Sequence, residues 1–571
     1  MAAPDWFLDP LSGRRAPQAE YCFSINHRNE RVTGNVKQVW ELSRHHHVTV
    51  LASAYALTGD RRYAERAASH LQSWWAENPF LSGIHWTSGI ELGIRLISWV
   101  WTRRLLDGWD GVTGLFDDNP LAHQQIWWHQ TYLSGFRSRG SSANNHVVAE
   151  AAGQLVAALA FPWFEESSAW AATASSLLQQ ELANNTFPSG VNRELAFDYH
   201  GLVAELGLIA AAEADRAGRP LPDPTWQLLS RMLDATAACL DCGFRAPRQG
   251  DSDEGRALVI AAPETSRWAA LLALGRALFV APEWWPAAEP GVASTLLSAL
   301  AAPRPQPDRP VRRPWHFEDA GITIFRSEPA DGPEIWCRCD SGPHGFLSIA
   351  AHGHADALAI EVRHNGIDIL ADPGTYCYGS DLQFRRYFRS TIGHNTLEVL
   401  GQDQSTSGGP TMWVRHAQSR LTDLESATEG ADGRWVAEHD GYRKLATPVT
   451  HRRTVQVDGM QRLIEIADDV DGPGSPPIRL AFHLGPTVDA ELDGCILTLQ
   501  WQDRHGGNAM ATMTLPPSLS WSLIRGASDP VLGWYSPAFG QKVPAIDVIG
   551  VGSATTGSPL RTRLAFGTAP R

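Results

Sequence analysis

The sequence lacks long apolar runs, and its basic residues are fewer than its acidic ones. Its 571 residues contain no apolar run of the roughly 18 to 20 residues that a membrane-spanning helix needs. The formal net charge is −14, whereas binding to nucleic-acid phosphates needs clustered lysine and arginine. We therefore expect neither a membrane span nor a nucleic-acid partner. An acidic ligand would need a local basic patch inside a cleft, because the overall charge repels it.

The chain also lacks a disulfide framework and a visible secretory signal. Its seven cysteines are odd in number and scattered along the sequence. Cys239 and Cys242 have the spacing of a redox or zinc motif, but they lie in an apparent helix without a second pair, which favours packed thiols. The start, MAAPDWFLDPLSGRR, has no basic stretch followed by an apolar one. The compartment stays open between the cytoplasm and, after removal of a signal, the periplasm or the exterior.

The first half of the sequence has the periodicity of amphipathic helices. From residue 37 to about 300, apolar side chains recur at three- and four-residue steps. In DRRYAERAASHLQSWWAENP, Asp60 is placed to cap the helix start and Pro79 follows its end. A second such segment, GLVAELGLIAAAEADRAG, ends at Gly218. Many helices of similar length joined by short loops predict a bundle, a solenoid or a toroid.

The period changes after the proline-rich stretch APRPQPDRPVRRP, which we interpret as an extended linker. Beyond it, ITIFRS, IWCRCD and TVQVDG alternate as half-buried strands do. LAIEVRHNGIDIL predicts a hairpin with Asn365 and Gly366 in its turn. The predicted organisation is a helical domain at residues 1–301, a linker at 302–315, and an antiparallel β-sandwich at 316–571.

Three histidines and an aspartate surround this predicted hairpin. His352 and His354 are one residue apart, so on a strand both would face the same side. Asp372 begins the turn DPGT after the hairpin, and His394 follows in STIGHNTLEV. Two imidazoles and a carboxylate suit a divalent ion such as zinc. Surface histidines near strand ends are the alternative, and spacing does not tell which of the two neighbouring histidines would be a ligand.

The segment SSANNHVVAE is a second polar group, at or just before the start of a helix. It contains Asn144, Asn145 and His146, with Glu150 one turn after the histidine. Capping by Ser142 or Asn144 and an exposed histidine–glutamate pair would explain these residues without any function. Spacing alone favours that interpretation.

A third group, Tyr199 and His200, precedes an amphipathic helix in GVNRELAFDYHGLVAELG. A buried tyrosine with a hydrogen-bonded hydroxyl is the commoner use of such a residue. On its own, this pair is weak support for a functional site.

Taken together, these segments resemble the heparinase II/III-like polysaccharide lyases, a superfamily that includes oligoalginate lyases. VWELSRHHHVTVLASAYALTGDRRYAE and WTSGIELGIRLISWVW resemble its helical half, and NNHVVAE and GVNRELAFDYH its active-site segments. HGHADALAIEV, DPGTYCY and YFRSTIGHNTLEVLGQDQS resemble its β-domain signature. The resemblance implies an incomplete (α/α) toroid packed on an antiparallel β-sandwich, with the substrate cleft between them. It also implies β-elimination at a uronic acid, which leaves a 4,5-unsaturated sugar.

The resemblance also implies roles for four residues. Asn145 resembles the asparagine that binds the uronate carboxylate, and His146 resembles the histidine beside the sugar C5. Tyr199 resembles the catalytic tyrosine, which would protonate the departing O4, and His352 resembles the second active-site histidine, contributed by the β domain. We expect His146 to be the base when the C5 proton and O4 lie on opposite faces. Tyr199 would also be the base when they share a face, provided that cationic groups lower its pKa.

Three further residues match the zinc ligands of metal-bearing members of the family: His354, Asp372 and His394. We expect one divalent ion, zinc, with manganese or calcium as alternatives. Its expected role is mainly structural, holding the loops of the β domain while His352 faces the sugar.

The expected partner is an acidic polysaccharide or oligosaccharide. Tyr387 and Arg389 are expected to contact it from the β side, and Arg95, Glu91 and His200 from the helical side. An internal ion pair is an equal alternative for Glu91 and Arg95. Lysine is too scarce to demand a heavily sulfated substrate, so hyaluronan, chondroitin, heparan sulfate, alginate and bacterial exopolysaccharides stay open. Endo or exo action and the oligomeric state stay open as well.

Two other functions compete with the lyase. A glycoside hydrolase on the same helical scaffold would use two carboxylates flanking the scissile bond, for which Glu194 and Asp198 are available. A non-catalytic polysaccharide-binding protein would use the 23 tryptophans as platforms for sugar rings.

Overall fold

The computed structural model describes residues 4–261, 266–327, 332–426 and 430–567. It is an incomplete (α/α) toroid followed by an antiparallel β-sandwich, which confirms the fold class expected from the sequence. The helices are α1 (Glu30–Thr33), α2 (Val36–Ser43), α3 (His46–Thr58), α4 (Arg61–Glu77), α5 (Gly89–Leu105), α6 (Val112–Leu115), α7 (Pro120–Gly135), α8 (Asn145–Ala160), α9 (Ser167–Asn184), α10 (Phe197–Arg216), α11 (Asp223–Cys239), α12 (Arg267–Leu278), α13 (Val292–Ser298) and, within the strand-rich half, α14 (Leu382–Arg389). None of the helices in these ranges has the length and apolarity that a membrane crossing requires.

Helix α8 is central in the toroid and packs against α5, α9 and α10. Two glycines allow its close approach to α5, because a Cβ added to Gly153 would overlap the backbone of Gly93. The side chain of Asn144 caps α8 by accepting from the backbone N–H of His146, one of the two caps that the sequence offers. Asp60 caps α4 in the same way, as predicted. These caps and contacts fix where the first residues of α8 lie.

The proline-rich stretch lies between α13 and the first strand and is attached to the toroid. Arg309 forms an ion pair with Asp234 at 2.6 Å, and Arg313 donates to two carbonyl oxygens at the end of α11. The stretch is therefore a docked connection. The predicted domain boundaries stay predictions, and the terminal residues 1–3 and 568–571 that they include lie outside the described residues.

The second half consists of strands that pair antiparallel. They are β1 (His316–Phe317), β2 (Ile322–Arg326), β3 (Ile335–Asp340), β4 (Ile360–His364), β5 (Ile367–Leu370), β6 (Leu397–Val399), β7 (Thr406–Gly409), β8 (Met412–Arg415), β9 (Ser419–Glu425), β10 (Gly433–His439), β11 (Thr450–Asp458), β12 (Leu463–Asp471), β13 (Pro477–His483), β14 (Asp489–Asp493), β15 (Ile496–Gln502), β16 (Asn508–Thr514), β17 (Ser520–Arg525), β18 (Ala527–Ser528), β19 (Val531–Leu532), β20 (Trp534–Tyr535), β21 (Val543–Pro544), β22 (Ile546–Ser553) and β23 (Leu560–Gly567).

Three larger sheets build the sandwich. The first has the order β1-β2-β3-β4-β5, the second β14-β15-β16-β23-β12-β11-β10-β9, and the third β17-β22-β13-β6. The hairpin predicted at Asn365 and Gly366 is present as β4 and β5.

The five-stranded sheet is the middle layer of the molecule. In β3, Trp336 packs into the helical core, while its neighbours Ile335 and Cys337 pack into the core of the β-sandwich. Successive side chains of a strand point to opposite faces, so this strand is buried on both sides. The loop from β3 to β4 and the segment after β5 therefore lie at the junction of the two halves.

Candidate functional site

Two aromatic side chains from separate halves meet at this junction. Tyr199 lies in the first turn of α10, and His352 lies in the loop between β3 and β4. Their ring centroids are 4.0 Å apart and the rings are stacked. The Tyr199 hydroxyl lies 2.6 Å from the hydroxyl of Tyr378, which follows β5. The two predicted residues thus lie well within the span of one monosaccharide.

Asn145, the first residue of α8, holds a buried carboxylate. Its backbone N–H donates to Glu194 at 3.0 Å, and its side-chain Nδ2 donates to both Glu194 oxygens at 3.1 and 2.8 Å. Its Oδ1 is buried and has no hydrogen-bond partner among the described residues. Glu194 also lies 3.6 Å from Nε2 of His352. One carboxylate therefore stands between the amide of Asn145, which was expected to bind the uronate carboxylate, and the imidazole of His352.

The two histidines of the site have opposite pKa shifts. Burial lowers the pKa of His146 to about 4, and the charge of His352 adds to the effect. Burial also lowers the pKa of His352, but the hydrogen bond to Asp251 and the charge of Glu194 outweigh it and raise the pKa. His146 is therefore neutral near pH 7, with a free lone pair for accepting a proton.

Tyr199 is held in its protonated form. Burial raises its pKa well above the ordinary value, and the charge of Asp253 raises it further. Asp253 itself is paired with Lys37 at 2.7 Å. The sequence-based expectation that Tyr199 acts as a base required nearby cations to lower this pKa, whereas carboxylates raise it. The arrangement suits a proton donor.

Asp251 connects the groups of the site and was not expected from the sequence. Its carboxylate lies 3.3 Å from Nδ1 of His352 and 3.0 Å from Nε2 of His354, and it receives both arms of Arg385. The segment RQGDSDEGR, with three carboxylates after a glycine, was the one local signal. Tyr378 was missed too, although it lies in the quoted motif DPGTYCY.

His354, Asp372 and His394 form a buried group of possible metal ligands. One ligand atom from each lies within 4.8 Å of the others. Nδ1 of His354 is 3.1 Å from Nε2 of His394, which is 3.5 Å from an oxygen of Asp372. Burial raises the pKa of Asp372 to about 7.

The hydrogen bonds around these two imidazoles show that the group fits a cation. Nδ1 of His394 lies 2.7 Å from the carbonyl oxygen of Ser390, which only accepts, so Nδ1 carries the hydrogen. Nε2 of His354 faces the carboxylate of Asp251, so it carries the hydrogen there. In the neutral form of both rings, the remaining nitrogens point lone pairs at each other. A cation between them removes that repulsion.

Five other residues expected at the substrate are packed inside the protein. On the helical side, Arg95 donates to the carbonyl oxygen of Ser43, and Glu91 forms its ion pair with Arg44, not with Arg95. His200 bonds to Thr236 at 2.8 Å.

On the β side, the Tyr387 hydroxyl donates to Asp547, and Arg389 donates to the carbonyl oxygen of Gly409 while stacking on Trp413. All five are under 5% exposed, so their contact with substrate stays a prediction.

A cavity of about 510 Å³ lies between the two halves and is lined by Gly250 and Ser252, the chain neighbours of Asp251. Phe539, whose ring lies 5.1 Å from that of Tyr378, lines one side of it. Four arginines also line it: Arg245, Arg248, Arg256 and Arg267. Three of these arginines are paired with carboxylates: Arg245 with Asp368, Arg256 with Glu205 and Arg267 with Asp198. Their charge is therefore largely balanced within the protein.

Sequence profiles of one protein family match both halves. The profile described as "Heparinase II/III N-terminus" matches residues 14–272, and the profile described as "Heparinase II/III-like, C-terminal" matches residues 309–561. This chain belongs to the heparinase II/III-like family. The two matched ranges therefore include the site residues that each half of the protein contributes.

Curated relatives of this heparinase II/III-like chain are named heparin-sulfate lyase. The protein from Bacteroides thetaiotaomicron is 24% identical over 463 residues, which cover 78% of this chain and 60% of the relative. The protein from Pedobacter heparinus is 24% identical over 380 residues, covering 64% and 52%. The aligned part of the chain thus spans only 52 to 60% of the length of these two relatives.

Solved structures with similar names share the fold. One titled heparinase III has a TM-score of 0.67 and 16% identity, with 93% of this chain and 77% of that chain covered. A crystal structure of heparan sulfate lyase from Pedobacter heparinus has a TM-score of 0.59 and 18% identity, with 97% and 80% covered. Similarity at this level of identity shows a common architecture.

Proposed function

We propose that this protein is a polysaccharide lyase that cleaves an acidic, uronate-containing polysaccharide by β-elimination. The observation that carries the proposal is the stacking of Tyr199 on His352 at 4.0 Å, which brings both halves to one sugar-sized site. The names of the curated relatives make a heparan-sulfate-type glycosaminoglycan the first substrate to test. Hyaluronan, chondroitin and alginate are the further candidates.

The first task of such a site is to neutralise the uronate carboxylate. The C5 proton becomes acidic enough to leave only when charge spreads into an enolate-like intermediate, which hydrogen-bond donors stabilise by several kcal/mol. The donors of Asn145 hold Glu194, and a protonated His352 would donate from Nε2, which lies on the other side of Glu194. Burial raises the pKa of Glu194, so a second carboxylate entering beside it would favour its protonated form, which donates a hydrogen bond.

The second task is to move two protons. Tyr199, whose pKa is raised, is the proposed acid that protonates the departing O4. His146, neutral because its pKa is lowered to about 4, is the proposed base at C5. The hydroxyl of Tyr378 lies 2.6 Å from that of Tyr199 and would relay a proton to it from solvent after each turnover, while His146 would release the C5 proton to solvent.

The proposed cofactor is one zinc ion held by His354, Asp372 and His394, because two imidazole nitrogens and a carboxylate suit zinc. Bound zinc would cross-link three segments: the loop between β3 and β4, the segment after β5 and the residues after α14. His352 is two residues from a ligand, so this cross-link would fix the loop that presents it. No proton transfer is assigned to the ion.

Incubation with a panel of heparan sulfate, heparin, hyaluronan, chondroitin and alginate tests the function. Products that carry the ultraviolet absorbance of a conjugated unsaturated uronate, sized by mass spectrometry, would support elimination and show the mode of attack. New reducing ends without that absorbance would indicate the hydrolase. Binding without any product across the panel would indicate the non-catalytic protein.

A further inference from the structure

Asp251 belongs to the helical half of the molecule but is enclosed by the strand-rich half. It lies between α11 and α12, and its side chain is fully buried. Its backbone N–H donates to the carbonyl oxygen of His352 at 2.9 Å. The preceding Gly250 has a φ of +67°, and a Cβ there would lie 2.9 Å from the same carbonyl oxygen. Glycine at this position therefore permits the close approach of the two backbones.

The two oxygens of the Asp251 carboxylate serve two different histidines. Oδ1 lies 3.0 Å from Nε2 of His354, and Oδ2 lies 3.3 Å from Nδ1 of His352. A carboxylate accepts from both rings, so each histidine carries its hydrogen on the nitrogen that faces Asp251. The opposite nitrogens face other groups: Nδ1 of His354 faces His394, and Nε2 of His352 faces Glu194.

Arg385 holds the Asp251 carboxylate in the orientation in which one oxygen faces His354 and the other faces His352. Its two terminal nitrogens each contact one oxygen of Asp251, and the arginine is 1% exposed. Such a bidentate pair restricts rotation of the carboxylate. Arg385 belongs to α14, so the helical half, the loop after β3 and α14 converge on one side chain.

We propose that Asp251 is a positioning residue that couples the metal group to His352 across the interface of the two halves. One oxygen turns His354 so that Nδ1 faces the ion, and the other turns His352 so that Nε2 faces the sugar. The half of the proposal that concerns His352 rests on the proposed lyase function. The half that concerns the ion does not, because metal binding is measured without a substrate.

Zinc affinity of Asp251→Asn tests the first half. The zinc dissociation constant of the full chain is measured by competition with a chromophoric chelator. Asparagine keeps the shape but has one acceptor oxygen in place of two. Partners of metal-bound histidines typically change affinity by 10- to 100-fold when removed, so we expect zinc binding to weaken by about 10- to 100-fold. A folded Asp251→Asn protein with wild-type zinc affinity would overturn the proposal.

Asp468→Asn is the matched control. Asp468 is also a buried carboxylate that binds one arginine and one histidine, Arg453 and His451, but it belongs to β12. Its replacement removes similar hydrogen bonds from the β-sandwich, so we expect a lower melting temperature with zinc affinity unchanged. Equal weakening of zinc binding in both variants would assign the effect to general destabilisation and contradict the proposal.

Arg385→Gln keeps the test decisive if Asp251→Asn does not fold. This change leaves both oxygens of Asp251 in place but removes the bidentate contact that restricts rotation of the carboxylate. We therefore expect zinc binding to weaken in the same direction as in Asp251→Asn. Wild-type zinc affinity in a folded Arg385→Gln protein would refute the positioning role.

The second half is read from steady-state kinetics at saturating zinc. Misplacement of Nε2 of His352 in Asp251→Asn should lower kcat about 10- to 100-fold with KM changed by less than threefold, whereas Asp468→Asn should leave both unchanged. An unchanged kcat with weakened zinc binding would refute the link to His352. If the wild type has no lyase activity, the proposed function fails while the zinc measurement still decides the first half.

Discussion

Replacement of Tyr199 by phenylalanine removes one hydroxyl from the site and little else. Phenylalanine keeps the ring that stacks on His352 at 4.0 Å. It loses the 2.6 Å contact with the Tyr378 hydroxyl. One such hydrogen bond contributes roughly 0.5–1.5 kcal/mol to the free energy of unfolding. The change in stability should therefore be small.

The expected change in rate is much larger. A positioned general acid contributes about 10²- to 10⁴-fold to the rate, and each factor of ten corresponds to about 1.4 kcal/mol of barrier. Loss of the Tyr199 hydroxyl should therefore raise the barrier by about 3–6 kcal/mol. The expected rise in the activation barrier exceeds the expected loss in the free energy of unfolding. A loss of turnover would therefore not be explained by unfolding.

The assay follows the initial rate of unsaturated product at saturating substrate, with oligosaccharide binding measured by calorimetry. We expect kcat of Tyr199→Phe to fall at least 100-fold while the dissociation constant stays within about threefold, because the acid acts mainly in the transition state. Tyr442→Phe is the control, since its hydroxyl donates to the carbonyl oxygen of Leu397 within the β-sandwich. A kcat of Tyr199→Phe within tenfold of the wild type would refute the assignment of the acid.

Three further predictions follow from the site and from the toroid core. His146→Gln should reduce kcat about 100-fold or more on the uronate epimer whose C5 proton lies opposite O4, and less on the other epimer, measured with epimer-defined oligosaccharides. Elemental analysis of the wild type should find about one zinc ion per chain, and His354→Ala should lose it; a metal-free wild type prepared with zinc would contradict this. Burial lowers the pKa of His85 to about 3, so its contribution to stability is complete above pH ~6.5 and is lost at about 1.4 kcal/mol per unit as the pH falls toward 3. His85→Gln should flatten that part of the unfolding profile, and an unchanged slope between pH 5 and pH ~6.5 would show that His85 is not responsible.

Much of the architecture followed from local patterns in the sequence. The three- and four-residue steps around Asp60 correspond to α4, and the Asn365–Gly366 turn joins β4 and β5. Such patterns are informative because a helix or a hairpin buries one face through neighbours only a few residues away. Spacing alone was weak support for Tyr199, and the expected roles of Tyr199 and His352 came from the resemblance to the family.

Whether a polar residue of a helix faces a cleft or the protein interior depends on tertiary contacts, which residue spacing does not show. Arg95 and His200 have the same helical periodicity whether they face a cleft or the interior, and the structure buries both. Glu91 pairs with Arg44, which is 47 residues away in the chain, and not with its neighbour Arg95. The period of a helix gives the face of a residue, while the packing of other helices decides whether that face meets solvent.

The sequence by itself determined the two-part organisation, the helical and strand periods, and the residue types available for proton transfer and metal binding. Only the tertiary structure decided which nitrogen of each histidine faces Asp251, that burial and nearby carboxylates raise the pKa of Tyr199, and that Asp251 joins His352 to His354. Asp251 lies 101 and 103 residues from these histidines. Hydrogen-bond direction and pKa depend on groups within a few ångströms, and in this fold those groups come from distant parts of the chain.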